Sequence, residues 1–150
     1  MSISPAFVPV RLSVLILLLW GCSAPPEAIV IDNAFVRLPV PGREVLVGYF
    51  DLYNGTKAPV TIVAAASEAA RAIELHTMIA DGDMMRMRPL KTLTVAPGER
   101  IQFAPGSHHL MIFGASATAG ETIEIIFEFE GGASQRTTFD VQPFEGAKPS

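Results

Sequence analysis

The sequence predicts one all-β domain of the Greek-key sandwich type. From Ala28 onward, short apolar runs rich in Val, Ile and Phe follow one another, with Gly, Pro or Asn between them. Such runs at regular spacing are typical of β-sandwiches and barrels. The run from Glu121 to Glu130 alternates charged and apolar residues, as a strand with one buried face does. A chain of 150 residues can bury one core but is short for two.

The strand-like runs are dominated by β-branched, aliphatic and aromatic residues, which suit a pleated and half-buried surface. In chain order they are AIVIDNAFVRL, EVLVGYFDLYN, APVTIVAAA, AIELHTM, RIQFAPG, HHLMIFG, ETIEIIFEFEGG and RTTFDVQP. Glu130 to Gly132 predicts a hairpin turn before the last run, and Asp81-Gly82-Asp83 predicts a turn after the fourth. Only AAASEAARAIEL could hold a helical turn, and it is too short to change the fold class.

The N-terminal segment is predicted to lie outside this domain. Arg11 precedes an apolar run, Leu12 to Trp20, that is too short to span a bilayer and has the shape of a secretory signal. The run ends in Leu-Trp-Gly-Cys22, which resembles a bacterial lipoprotein cleavage box. We expect a signal peptide at 1–21, a lipidated Cys22 with a tether at 22–27, the domain at 28–142 and a short tail at 143–150. The alternative is an ordinary signal peptide with an incidental cysteine. Either way the chain is expected to be directed to the cell envelope, and any membrane attachment is expected through the lipid on Cys22 only.

Cys22 is the only cysteine, so the predicted domain has no thiol. It therefore cannot form a disulfide, bind a metal through thiolate or use a cysteine nucleophile. The net charge of −4 with scattered Lys and Arg gives no basic patch for nucleic acid. A GxSxG-type nucleophile motif and a carboxylate pair beside the histidines are both missing, so we do not expect an enzyme.

Methionine and histidine are concentrated in one window of the chain. Five of the six methionines and all three histidines lie between residues 76 and 111, and the sixth methionine is the initiator. They are Met78, Met84, Met85, Met87 and Met111, with His76, His108 and His109. Methionines that fill gaps in a core would be spread over several strands. Clustering with histidine points to metal ligation instead.

Strand geometry places these residues on defined faces, because residues two apart on a strand face the same way. The same-face pairs are His76 with Met78, Met85 with Met87, and His109 with Met111, while Met84, Arg86, Arg88 and His108 take the opposite faces. Met84 and Met85 either pack or pass a metal onward. His108 is expected at the surface or as support for the ligands.

A mixed set of thioether and imidazole donors indicates copper. Thioether sulfur is a soft, neutral ligand that holds Cu(I) and is nearly useless for Mg, Ca or Zn, while imidazole also suits copper. Two histidines and two methionines would therefore fit Cu(I). A single His–Met pair is more often structural, and the prediction depends on the three segments meeting.

The spacing of these residues resembles that of the periplasmic copper chaperones called PCuAC. That family is recognised by His, ten residues, Met, twenty-one residues and then His-x-Met, and His76, Met87, His109 and Met111 have this spacing. The stretches IELHTM, DGDMMRMRP, VAPGERIQFAPGSHHLMIFG and GETIEIIFEF are also similar to the family's, as is AFVRLPVPG, with Phe35 where a Trp is common. The resemblance covers most of Ala28 to Val141.

The resemblance implies a cupredoxin-like β-sandwich that binds one Cu(I) through His76, Met87, His109 and Met111. It also implies delivery of copper to the copper-bearing subunit of a haem-copper cytochrome c oxidase, with a thioredoxin-like copper-transfer protein as a possible partner. Met78 competes with Met87 as the ligand near His76. Some relatives carry a copper-binding tail rich in His and Met, which FEGAKPS does not resemble.

Two alternatives to delivery stay open at this point. The first is copper buffering or resistance through the same site. The second is a lipid-tethered sandwich whose methionine-rich edge packs on a partner protein and binds no metal. Electron transfer by a blue-copper centre is disfavoured, because that centre needs a cysteine ligand.

Overall fold

The computed structural model describes residues 28–144, and every regular element in that range is a β-strand. The strands are β1 (Ile29–Arg37), β2 (Leu46–Asn54), β3 (Val60–Ala66), β4 (Ala72–Asp81), β5 (Met84–Leu90), β6 (Leu93–Val95), β7 (Arg100–Phe103), β8 (His109–Phe113), β9 (Thr122–Phe129) and β10 (Ser134–Gln142). The predicted signal peptide, Cys22 with its tether, and residues 145–150 lie outside the described residues. In the described range no helix has the length and apolarity to cross a membrane.

The ten strands form one continuous ladder in the order β5-β4-β8-β2-β1-β10-β9-β3-β6, with β7 also paired to β2. All pairings are antiparallel except that of β1 with β10. Strand β2 is shared, because its first half pairs with β8 and its second half pairs with β7. The all-β prediction is confirmed.

The ladder closes over itself to form the core. Phe50 on β2 and Phe127 on β9 are separated by two intervening strands, which corresponds to about 14 Å along a flat sheet. Their ring centroids are nevertheless only 4.9 Å apart. Phe50 also lies 4.0 Å from Phe103 and 5.8 Å from Phe139, measured between ring centroids. Strands β2 and β7 therefore face β9 and β10 across a shared aromatic core, as the sandwich prediction requires.

The runs predicted from sequence correspond to strands, and the differences have local causes. Strand β5 forms on Met84–Leu90 although it contains Pro89, because β5 is the edge of the ladder and an edge strand tolerates a residue without an N–H. Strand β6, three residues long, has too little pattern to be recognised. The possible helical turn is a tight turn instead, in which the Ala70 N–H donates to the Ser67 carbonyl.

The hairpin turns were predicted correctly. Strand β4 ends at Asp81 and β5 begins at Met84, with Gly82 at a φ of +62° between them. A positive φ at the first loop position is what a type II′ hairpin turn requires, and glycine adopts it without steric cost. The β9–β10 connection contains the predicted glycines at Gly131 and Gly132.

Asn54, at the end of β2, is a buried polar residue that the sequence did not single out. Its side-chain amide donates to the Ala58 carbonyl at 2.8 Å and to the Val95 carbonyl at 2.9 Å. Its side-chain oxygen accepts from the backbone N–H of Thr56 at 3.0 Å and from its hydroxyl at 2.7 Å. The side chain thus joins the β2–β3 loop to β6.

Asn54→Ala is expected to lower the free energy of unfolding by about 2–4 kcal/mol, because it removes the four hydrogen bonds of a buried side chain. Urea unfolding followed by circular dichroism measures the change. The control is Asn33→Gly, which removes one exposed 2.8 Å hydrogen bond to Asp51 and keeps the positive φ of 51°. An equal loss of stability in both variants would contradict the role assigned to Asn54.

Candidate metal centre

The register of the ladder brings the predicted donors onto one face of β5, β4 and β8. Residues directly opposite each other in neighbouring strands share a face. His76 on β4 is opposite His109 on β8, and Met78 on β4 is opposite Met87 on β5. Met111 follows His109 by two residues and lies opposite Glu74. The donor-bearing face is the reverse of the one that carries the core residues Leu75, Leu110 and Ile112.

The two histidines form the centre of this face. Their ring centroids are 5.9 Å apart and the rings are tilted by 39°. His109 is only 4% exposed, and the side chain of His76 is 13% exposed. Because β4 and β8 are both interior strands of the ladder, pairing on both sides fixes the backbone positions of both histidines.

Each ring uses one nitrogen for a hydrogen bond and leaves the other free. Nδ1 of His109 lies 3.1 Å from the Ser107 carbonyl oxygen, and Nε2 of His76 lies 2.9 Å from the Glu74 carboxylate. Both oxygens accept, so in the neutral ring these nitrogens carry the proton. His109 Nε2 and His76 Nδ1 then hold lone pairs, and both are buried without a hydrogen-bond partner.

This pattern is typical of metal-binding histidines, in which the second ring nitrogen donates to a carboxylate or a carbonyl and so fixes the ring and its tautomer. An unpaired buried nitrogen costs about 1–3 kcal/mol. A soft monovalent cation would accept both lone pairs at once. The pair of unpartnered nitrogens on facing rings therefore fits a shared metal ion.

The methionines lie on either side of the histidine pair, at different positions along the strands. Met111 is half-buried, opposite Val47 on one side and Glu74 on the other. Met87 is 45% exposed on the edge strand and is displaced to the other end of the histidine pair. Met78 is half-buried and directly opposite Met87, so both sulfurs can approach His76. The structure brings His76, His109, Met111, Met87 and Met78 to one face and leaves open which of the last two is the ligand.

The remaining residues of the methionine–histidine window lie elsewhere. Met85 shares the face of Met87 but lies nearer the hairpin tip, and Met84 takes the opposite face. The His108 ring packs against Phe103 with centroids 5.6 Å apart, turned away from the His76–His109 pair. Arg86 forms an ion pair with Asp81 across the hairpin on the Met84 face.

No three His, Cys, Asp or Glu side chains within residues 28–144 converge as a metal site, and thioether ligation does not require such a group.

Sequence reasoning missed two groups that support the rings. Glu74 could have been found by the same-face rule, because it precedes His76 by two residues on β4. The Ser107 carbonyl could not have been found, because every residue has a backbone carbonyl and the sequence does not show which one accepts a hydrogen bond.

Burial lowers the pKa of His109 below its ordinary value of 6.5. Repulsion from His76 and His108 acts in the same direction, and the hydrogen bond to the Ser107 backbone opposes them. The folded protein therefore keeps this ring neutral and ready to bind a metal at pH values where a free histidine is already protonated.

His109 is expected to titrate with a midpoint below 6.5 in nitrogen-15 NMR spectra of the metal-free protein. The unfolded chain takes up the proton at a higher pH than the folded one, so the contribution of His109 to stability is present above pH 6.5. That contribution is lost as the pH falls from 6.5 through the lowered folded pKa. A midpoint at or above 6.5 would contradict the burial argument.

Comparison with known proteins identifies a matching family and a curated relative. The family model described as "Putative lipoprotein LpqE-like" matches residues 29–141. The curated protein "Putative lipoprotein Lxx21020" of Leifsonia xyli subsp. xyli is 26% identical over 124 residues, covering 81% of this chain and 74% of that protein.

Two solved structures share the architecture. The copper-bound PCuAC domain from PmoF2 is 21% identical with a TM-score of 0.64, covering 77% of this chain and 92% of that one. The solution structure of CuI-DR1885 from Deinococcus radiodurans is 26% identical with a TM-score of 0.63, covering 82% of this chain and 83% of that one. These neighbours confirm the cupredoxin-like β fold and the predicted resemblance to PCuAC domains. The family model matches far more than half of this chain, and the chain therefore belongs to the LpqE-like lipoprotein family.

Proposed function

We propose that this protein is a Cu(I) chaperone of the cell envelope that carries one copper ion on His76, Met87, His109 and Met111. The observation that carries the proposal is the pair of buried, unpartnered ring nitrogens on His76 and His109, with thioethers on the same face. The copper-bound state of two structural neighbours, the PmoF2 domain and CuI-DR1885, supports copper as the cargo.

The donor chemistry favours Cu(I). Two neutral imidazoles and two neutral thioethers add no negative charge, and Cu(I) accepts soft ligands in three- or four-coordinate geometry. Neutral donors hold copper less firmly than paired thiolates, so transfer to a cysteine-bearing acceptor is downhill. The exposed position of Met87 gives the ion a route in and out without opening the core. The protein acts by binding and release, without catalysis.

The acceptor we propose is the copper-bearing subunit of a haem-copper cytochrome c oxidase, with a thioredoxin-like copper-transfer protein as an intermediate partner. The resemblance to PCuAC proteins supports this destination. Membership of a lipoprotein family supports a location at the envelope. Lipid attachment through Cys22 would confine the chaperone to targets at one membrane.

Anaerobic titration with Cu(I) against a chromogenic chelator tests the site. The full-length chain, purified in detergent, is expected to take up one tight equivalent. Delivery is separated from buffering in cells that lack the protein. Loss of copper from cytochrome c oxidase with unchanged copper tolerance supports delivery, and the reverse pattern supports buffering.

Glu74→Gln is expected to weaken Cu(I) binding by about tenfold, because the carboxylate orients the His76 ring and raises its basicity. The same chelator titration measures this change. The control is Glu124→Gln, which removes a carboxylate that pairs with Arg136 on the distant β9–β10 hairpin. Equal affinity of the Glu74→Gln protein and the wild type would show that Glu74 does not support the metal site.

A further inference from the structure

The exposed β4–β5 hairpin carries thioethers beyond those of the proposed site. Met78 and Met87 are directly opposite each other, and Met85 precedes Met87 by two residues on the same face. Cβ atoms of such opposite residues lie about 4.5–5.5 Å apart, and residues two apart on a strand are separated by about 6.6 Å. Three long, flexible side chains, each with a thioether sulfur, can therefore converge above this face.

Core packing does not explain these methionines. Met85 is 56% exposed and Met87 is 45% exposed, and every residue of β5 except Leu90 is exposed. Charged side chains are the usual protection of an edge strand. The metal-side face of β5 instead presents Met85, Met87 and Pro89 without a charge. His76 lies on the same face as these residues, because it precedes Met78 by two residues on β4.

We propose that Met78, Met85 and Met87 form a second thioether site for Cu(I), at which the ion binds on its way to and from the histidine pair. This inference rests on the proposed function, because Met87 belongs to both sites. Copper moves inward when His76 and His109 replace Met78 and Met85 one ligand at a time, with no change of oxidation state. Three neutral thioethers bind Cu(I) more weakly than a set that includes imidazole, so the ion passes through the hairpin site.

Silver(I), a redox-stable soft monovalent cation, tests the hairpin site in the full-length chain labelled with carbon-13 at the methionine methyl groups. The His76→Leu/Met111→Leu background removes two donors of the proposed site and keeps the three hairpin methionines. In that background, one equivalent of Ag(I) is expected to shift the methyl signals of Met78, Met85 and Met87 along one saturation curve. Adding Met85→Leu abolishes the saturable shift at Met78.

Met84→Leu is the matched control, because Met84 is 59% exposed on the same hairpin but lies on the opposite face. It is expected to leave the shifts unchanged. A shift confined to Met87, or an equal effect of Met84→Leu and Met85→Leu, would overturn the hairpin site. Failure of the proposed function gives a different result, in which Ag(I) leaves the Met111 methyl and the His109 ring of the wild-type protein unshifted.

Discussion

Replacing Met87 and Met111 with leucine is expected to abolish the tight Cu(I) equivalent while the fold stays intact. Leucine keeps the apolar volume but has no sulfur, so only the donor atoms are lost. Loss of a supporting partner alone costs a metal site about 10- to 100-fold in affinity, and loss of two ligands is expected to cost at least the upper value. Competition with a chromogenic chelator under anaerobic conditions measures the change.

The control for this experiment is Met84→Leu, which removes a more exposed thioether from the same hairpin without touching the metal-side face. Its Cu(I) affinity is expected to match that of the wild-type protein. Equal and weak copper uptake by the wild type and the double variant would show that the methionines only pack. A lipid-tethered interaction module would then replace the chaperone as the proposed function.

Phe50→Ala is expected to lower the free energy of unfolding by about 3–5 kcal/mol, which is a large part of the 5–15 kcal/mol typical of a domain. Phe50 is 2% exposed, and its ring contacts three other phenylalanine rings from β7, β9 and β10. Truncation leaves a cavity where β2 and β7 face β9 and β10. Urea unfolding at neutral pH measures the loss.

Phe113→Ala is the comparison, because Phe113 is half-buried at the end of β8 and leaves a smaller cavity. A smaller loss of stability is expected there. Equal losses in the two variants would mean that the Phe50 cluster is not the centre of the core.

Much of the site was predictable because strand periodicity is local. The same-face pairs His76 with Met78, Met85 with Met87, and His109 with Met111 follow from alternation alone, and the register agrees with all of them. The direct pairing of His76 with His109 is not local. It depends on β8 lying between β4 and β2, a neighbour relation that no short-range pattern encodes.

The fold was predictable to a similar extent. Alternation in Glu121 to Glu130 matches the observed burial, except that Ile126 interrupts the alternation of charged and apolar residues and is half-buried. The parallel pairing of β1 with β10 could not be predicted from local patterns, because it joins strands from opposite ends of the chain. Asn54 was missed for a related reason, since its partner Val95 lies 41 residues away.

The edge position of β5 divides the proposed site into two parts of unequal local stability. His76 and His109 are on interior strands, whereas Met87 is on a strand that, within residues 28–144, is joined to the ladder through β4 alone. Separation of an edge strand costs only a fraction of the free energy of global unfolding. Amide hydrogen exchange should therefore be faster in β5 than in β8. At the proposed site, hairpin opening is expected to limit the lifetime of the bound ion, so that copper is lost on warming at a lower temperature than the one at which the domain unfolds.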